Sequence, residues 1–223
     1  MKVLVACEES QAVTIAFRER GHEAYSCDIL DCSGGHPEWH IKGDAIDTLY
    51  SQLWDLVIAH PPCTRLANSG VCWIEKRNLW LELELARQFF MQFIRYANQD
   101  GIIAIENPIP HKHANLPKYT QIIQPWMFGH PERKATCLWL YGLPELVPTN
   151  NVKDEMMALP KNIQQRIHYT SPGPDRARLR SKTFPGIAKA FADQYSRFIE
   201  SGMTVKEWEA SNVDNFVENN TYR

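Results

Sequence analysis

The sequence predicts an α/β domain built on a doubly wound, mostly parallel sheet. Short, uninterrupted apolar runs alternate with longer stretches in which apolar residues recur at helical spacing. Runs of this kind suit strands that are buried on both faces, and their alternation with helices favours parallel pairing. At 223 residues, the chain is long enough for one such domain with a full core.

Five strands and three helices follow from this pattern. In chain order, the predicted strands cover residues 3–7, 23–27, 56–59, 101–106 and 136–141. The predicted helices cover residues 12–17, 78–96 and 185–199. Ligands of doubly wound sheets bind beyond the carboxyl ends of the strands. Three chemically useful side chains fall at such ends, namely Asp28, Cys63 and Glu106.

The composition indicates where the protein is expected to occur but says little about its activity. The 24 basic and 26 acidic residues give a net charge of -2, so any surface that binds nucleic acid must be local. Six cysteines are too few for a disulfide scaffold, and the first residues lack the layout of a signal peptide. No apolar run is long enough to cross a bilayer. We therefore expect a cytoplasmic protein with reduced thiols and no membrane partner.

Cys63 is the first candidate for chemistry. It follows a buried strand and the segment His60-Pro61-Pro62, which fixes the backbone of the turn at the mouth of the sheet. A thiol placed there is accessible to a ligand. An inert loop cysteine is the ordinary alternative, because most cysteines act as small apolar residues.

Glu106 is the second candidate, and its position relative to Cys63 makes both more specific. It ends the apolar run of residues 101–106 and is followed by Asn107-Pro108. A solvated carboxylate at the rim of the sheet is the alternative. A thiol and a carboxylate together suit a pyrimidine, because C6 accepts a nucleophile only when charge at N3 is stabilised.

At these residues the sequence resembles the DNA cytosine C5-methyltransferases. Pro62-Cys63 is similar to the family's Pro-Cys motif, which supplies the nucleophile to cytosine C6. The segment 106–108 is similar to its Glu-Asn-Val motif, whose carboxylate contacts N3 and the amino group. The resemblance covers residues 2–200 and implies a Rossmann-like S-adenosylmethionine-dependent methyltransferase fold, with residues 1–202 as the catalytic domain.

Further motifs in family order imply a cofactor site for S-adenosylmethionine. Residues 4–10 (LVACEES) resemble the loop motif after the first strand, residues 43–45 (GDA) the motif near the adenine, and residues 184–195 (FPGIAKAFADQY) the closing helix. The resemblance implies a cofactor-binding set of Ala6, Cys7, Glu8, Ser10, Asp28, Ile29, Asp44, Ala45 and Pro61.

The chain departs from the family pattern in three places. The cofactor loop of residues 6–10 has no glycine, so its backbone path must differ. The family's Gln-x-Arg-x-Arg motif corresponds to residues 132–136, where Lys134 takes the place of the first arginine and Thr136 the second. About fifty residues separate this motif from the closing helix, where the family inserts a recognition domain. In this architecture, and in its segment GGHPEWH, the chain resembles short methyltransferase-like proteins of bacteriophages.

Residues 144–182 stand in place of the recognition domain and are predicted to form a loop-rich basic insertion. The basic side chains of this insertion could hold DNA phosphates, although a solvated loop has the same composition. Residues 203–223 are predicted to form a polar tail or short helix. The predicted nucleic-acid-binding residues are Arg176, Arg178, Arg180 and Lys182.

Two other site types are weaker readings of the sequence. Zinc is possible at Cys27, Cys32, His36 and His40, but their spacing matches no common finger, and we predict no metal. The segment HPPC also resembles the Asp-Pro-Pro-Tyr motif of amino-group methyltransferases, in which His60 and Cys63 would be unsuitable replacements.

The resemblance thus implies a DNA cytosine C5-methyltransferase of a bacterial or phage-infected cell. Cys63 would attack C6, Glu106 would stabilise charge at N3, and Lys134 or Arg133 would assist near O2 or a phosphate. One alternative is a related enzyme that acts on RNA or a nucleotide, or that transfers another group from an altered cofactor. Another is a noncatalytic, methyltransferase-like DNA-binding decoy.

Overall fold

The computed structural model describes residues 1–173 and 176–211 and contains a seven-stranded mixed sheet. Its strands are β1 (Lys2–Ala6), β2 (Glu23–Asp28), β3 (His40–Lys42), β4 (Leu56–Ala59), β5 (Ile103–Pro108), β6 (Gln121–Ile123) and β7 (Thr136–Tyr141). They lie in the order β3-β2-β1-β4-β5-β7-β6. The first five are mutually parallel, whereas β7 runs antiparallel to both β5 and β6.

The helices of the described residues vary widely in length. They are α1 (Ala12–Glu19), α2 (Ala45–Tyr50), α3 (Cys72–Lys76), α4 (Trp80–Ala97), α5 (Lys153–Ala158), α6 (Lys161–Gln164), α7 (Arg176–Ser181), α8 (Pro185–Ser201) and α9 (Val205–Ser211). Among these, none combines the length and the apolar character that a membrane span requires.

The alternation of side chains along the strands builds a core on each face of the sheet. On β1, Val3 and Val5 pack with residues of α1 and α8, while Leu4 and Ala6 face α2 and α4. The large aromatic side chains at the centres of these cores, Phe191 and Phe90, are fully buried. Helices therefore cover both faces, and the functional residues are left to the edge where the strands end.

The predicted α/β architecture is confirmed, and so are the five strands and three helices, within about two residues at each end. The sequence reading missed β3, β6, α2 and α3, which are short. It also described residues 144–182 as mainly loop, whereas the structure has three short helices there, α5, α6 and α7. Part of the predicted C-terminal segment forms α9, and residues 212–223 lie outside the described residues.

Candidate active site

The Pro-Cys turn begins where β4 ends. The amide of His60 donates to the carbonyl of Ala6 at 2.9 Å, which extends the pairing of β4 with β1 by one residue. The carbonyl of Cys63 then accepts from the amides of Leu66 (3.0 Å) and Ala67 (2.9 Å). Cys63 is half-buried. The thiol is therefore held on a turn whose two sides are both hydrogen-bonded to the fold.

Glu106 lies on β5 beside this turn. Its carboxylate Oε2 lies 2.9 Å from Nδ1 of His60, and both side chains are largely buried, with exposures of 14% for Glu106 and 11% for His60. The next residue, Asn107, donates from Nδ2 to the carbonyl of Pro61 at 2.7 Å. Two hydrogen bonds thus join β5 to the residues between β4 and Cys63.

The charges around Cys63 and Glu106 set their resting protonation. Burial raises the pKa of the Cys63 thiol and the charge of Glu106 raises it further, while Lys134 and Arg180 act in the opposite direction. Burial alone would raise the pKa of Glu106, but the hydrogen bond and charge of His60, together with Lys134, hold it below its usual range. The site therefore rests as a neutral thiol beside a carboxylate.

Lys134 and Arg133 were both predicted to assist the chemistry, and the structure separates them. The Lys134 ammonium is near enough to Cys63 and Glu106 to affect the pKa of each, and it donates to the carbonyl of Lys182 at 3.4 Å. The Arg133 guanidinium instead contacts Met156 and Met157 of α5, at 3.2 and 2.7 Å from their sulfur atoms. Lys134 is therefore the cation that belongs to the site.

Three of the four predicted basic residues lie on α7, and Lys182 directly follows it. The charge of Arg180 acts to lower the pKa of the Cys63 thiol, so the two side chains are near enough to interact. The carbonyl of Lys182 accepts from Lys134, and the side chain of Lys182 is exposed. Arg178 is exposed as well, and the guanidinium of Arg176 donates to the carbonyl of Thr170. The basic segment is thus a helix that borders the thiol, rather than the loop expected.

The glycine-free loop after β1 uses left-handed backbone at ordinary residues. Cys7 has φ of 60° and Gln11 has φ of 58°, in the region that glycine adopts most easily. Gln11 is fully buried and its side chain bonds Ser26 and the backbone of His36. Ser10 accepts from the amide of Ala12 at 3.5 Å. At Gln11, the left-handed backbone is therefore accompanied by a buried side chain that makes three hydrogen bonds.

Glu8 was predicted to bind the cofactor, but its carboxylate caps α1 instead. Its two oxygens accept from the amide of Val13 (2.6 Å) and from the amide (3.2 Å) and hydroxyl (2.7 Å) of Thr14. Burial raises the pKa of Glu8, although the charge of His60 and the Thr14 hydroxyl oppose this. The sequence could not distinguish a helix-capping carboxylate from a ligand-binding one.

The remaining predicted cofactor residues gather at the ends of β1 and β2. Burial raises the pKa of the Cys7 thiol, and the charges of Asp28 and Asp44 raise it further, so these three side chains lie close together. Asp28 accepts from the amide of Leu30 at 2.9 Å through Oδ1, and Asp44 caps α2 by accepting from Ile46 and Asp47. The nearby predicted residues are the 72% exposed Ile29 and the buried Ala6, Ala45 and Pro61.

The four cysteines and histidines weighed for zinc do not form one cluster. Both ring nitrogens of His40 are used, at 2.8 Å from Ser26 Oγ and 2.9 Å from the carbonyl of Leu30. His36 stacks on Trp39, with ring centroids 3.8 Å apart. Within residues 1–173 and 176–211, no three such ligand side chains come together. The segment GGHPEWH is instead a packed loop between β2 and β3.

Sequence reasoning missed the partner of Glu106. The motif comparison treats His60 only as a poor replacement for the acidic residue of an amino-group methyltransferase. Its place directly before Pro61-Pro62, at the end of a strand parallel to β5, was the signal that could have found it, because the ends of neighbouring parallel strands meet at one edge. The periodicity of the chain does not reveal which rim residues are neighbours.

Glu8→Ala tests the structural assignment of this carboxylate. We expect the variant to lower the free energy of unfolding by about 2 kcal/mol, because three donors at the start of α1 lose their buried acceptor. Urea denaturation measures the change. Glu9→Ala is the control, since it removes the same charge one residue later, from a side chain that is only partly buried. Equal stability of the two variants would contradict the assignment.

Comparison with known proteins identifies no family for this chain. The sequence matches no protein-family model and no curated protein. Cys63, Glu106, His60 and Lys134 are the residues that meet at the carboxyl edge of the sheet.

Proposed function

We propose that this protein is an S-adenosylmethionine-dependent enzyme that methylates C5 of cytosine in DNA through a covalent adduct of Cys63. The observation that carries the proposal is that hydrogen bonds from His60 and Asn107 join the turn of Cys63 to the strand of Glu106. The charges of Glu106, Lys134 and Arg180 all act on the Cys63 thiol. A nucleophile, a proton carrier and cations meet at the edge where doubly wound sheets bind ligands.

The pair suits a pyrimidine ring for a specific chemical reason. A sulfur nucleophile adds to C6 only if the electron pair displaced from the C5–C6 double bond is accepted further round the ring. Glu106 can carry a proton to N3 for this purpose, and Lys134 can stabilise charge at O2 or at a neighbouring phosphate. The bond formed is Sγ–C6, and the proton that leaves the thiol balances the proton that N3 gains.

The residues around β1 and β2 fit S-adenosylmethionine. Asp28 is only half-buried, and among the described residues the one hydrogen bond found for its carboxylate comes from the amide of Leu30 to Oδ1. The carboxylate can therefore accept from ribose hydroxyls. The exposed side chain of Ile29 next to it offers an apolar surface for adenine. When bound, this cofactor supplies the electrophilic methyl group. Cys63 and Glu106 act before that transfer, and departure of the sulfur after loss of the C5 proton restores the ring.

The basic residues of α7 favour a polymeric substrate. Arg178 lies on α7 and Lys182 directly follows that helix. Both side chains are exposed, so a run of phosphates can contact them. A free nucleotide offers few phosphates, and RNA remains the polymer to compare with DNA. In duplex DNA the target base must leave the stack to reach Cys63, as in other enzymes that modify bases. A noncatalytic decoy would need neither the thiol nor its carboxylate neighbour.

The covalent step can be tested with DNA that contains 5-fluorocytosine. Fluorine at C5 blocks the final elimination, so we expect a denaturation-resistant protein–DNA adduct in the presence of S-adenosylmethionine. Peptide mass spectrometry should find the DNA on Cys63. The variant Cys63→Ser should lose the adduct, because a hydroxyl is a far weaker nucleophile than a thiolate at neutral pH.

Cys72→Ser is the matched control for thiol loss. Cys72 is exposed at the start of α3 and contributes no contact to Glu106 among those described. This variant should form the adduct at the wild-type rate. An adduct that persists in Cys63→Ser, or that maps to another residue, would overturn the covalent mechanism.

Specificity gives a second test, because the insertion of residues 144–182 is too short for a separate recognition domain. We expect a loosely defined context of about two to four bases, and affinity that falls steeply with salt. The double variant Arg178→Gln/Lys182→Gln should weaken binding to all sequences alike. It should also reduce the slope of log affinity against log salt by about one for each phosphate that the variant no longer binds.

Fluorescence anisotropy with several duplexes measures both effects. The control is Lys189→Gln/Arg197→Gln, which removes two exposed positive charges from α8. If the α7 variant alters the preferred context of methylation, the helix reads bases rather than phosphates. If the Arg178→Gln/Lys182→Gln variant binds DNA with the same affinity as the control variant, these two residues do not contact DNA.

A further inference from the structure

His60 is held through both its backbone and its ring. Its amide continues the β1–β4 pairing, and the two prolines that follow restrict its backbone. Its ring Nδ1 lies 2.9 Å from Glu106 Oε2, and Nε2 is buried with no hydrogen-bond partner among the described residues. The contact with Glu106 is therefore the one hydrogen bond found for this ring within that part of the chain.

The charges around His60 come from every element packed against it. Glu106 lies on β5, and Glu8 follows β1. Cys63 is on the same turn, and Lys134 precedes β7. The charge of His60 favours the ionised form of both Glu8 and Glu106. The hydrogen bond from His60 and the interactions of its charge with Glu8 and Glu106 offset part of the cost of burying these carboxylates.

We propose that His60 is a positioning residue that holds Glu106 as an oriented carboxylate, ready to take the proton of the Cys63 thiol and carry it to N3 of the pyrimidine. The role rests on the function proposed above. In the step, the S–H bond breaks, its electron pair forms the Sγ–C6 bond, and the ring π pair moves toward N3. Glu106 gives N3 the proton it received, and His60 keeps its own.

An ionised Glu106 allows a thiol with a raised pKa to serve as the nucleophile. The charge of Glu106 raises the pKa of Cys63, so the thiolate is scarce before substrate binds. A carboxylate that is already ionised can accept the proton as the new bond forms. Without the hydrogen bond and charge of His60, burial would favour a protonated Glu106, which cannot act as the acceptor.

The substitution His60→Asn separates the charge of the ring from its hydrogen bond. The amide Nδ2 of asparagine can occupy the position of Nδ1 and still donate to Glu106, but it carries no charge. His22→Asn is the matched control. His22 is also buried, with Nε2 2.7 Å from Ser196 Oγ, but it precedes β2 at the opposite edge of the sheet.

The first measurement needs no substrate. Carbon-13 NMR of labelled glutamate carboxyls, assigned by loss of one signal in Glu106→Gln, follows the titration of Glu106. We expect His60→Asn to raise the midpoint by about one pH unit or more, because an opposite charge at hydrogen-bonding distance is removed. We expect His22→Asn to leave it unchanged. An unchanged midpoint in His60→Asn would overturn the inference, whatever the activity of the protein.

The second measurement follows the rate of adduct formation with 5-fluorocytosine DNA against pH. The acidic limb of the profile should move to higher pH in His60→Asn by the shift seen in the titration, and the rate should recover at high pH. A rate lowered equally at every pH would overturn the proton-carrying role. If the wild type forms no adduct while the titration shifts as expected, the proposed function fails and the pairing of His60 with Glu106 stands.

Discussion

The parallel pairing of β4 with β5 is the constraint on which the rest of the site depends. It brings the carboxyl ends of two buried strands to one edge, so that the turn carrying Cys63 and the strand carrying Glu106 become neighbours. The hydrogen bonds from Asn107 to Pro61 and between His60 and Glu106 then lock the two segments together. A thiol and a carboxylate more than forty residues apart thereby share one environment.

The position of β7 adds the cations. Because β7 runs antiparallel to β5, the residues that precede it arrive at the edge where β5 ends, and Lys134 lies close to Glu106. The segment between β7 and α8 returns α7 to the same edge, which brings Arg180 near the thiol. The positive charges of the site therefore follow from strand direction, not from an excess of basic residues in the chain.

Much of this fold was predictable from the sequence. The runs 56–59 and 136–141 are short and mostly apolar, and their length favours a buried strand over a helix. The direction of β7 was not predictable, because the spacing of apolar residues is the same in parallel and antiparallel strands. The strands β3 and β6 have three residues each, too few to show a period.

The site was predictable in outline for a similar reason. Cys63 was identified because it follows one predicted strand and Glu106 because it ends another, and the structure brings the two segments together. The use of Glu8 as a helix cap and the contact of Arg133 with α5 could not be foreseen, since both depend on side-chain neighbours that spacing does not specify. The left-handed backbone at Cys7 was equally hidden, because sequence patterns assign such positions to glycine.

Release of tritium from C5 of labelled cytosine tests the central claim most directly, because only a reaction that activates C5 through attack at C6 exchanges or replaces that hydrogen. DNA, RNA and cytidine nucleotide are compared in parallel, with and without S-adenosylmethionine. The account predicts release from DNA that requires both the cofactor and Cys63. No release from any substrate, or equal release by the protein with Cys63→Ser, would contradict it.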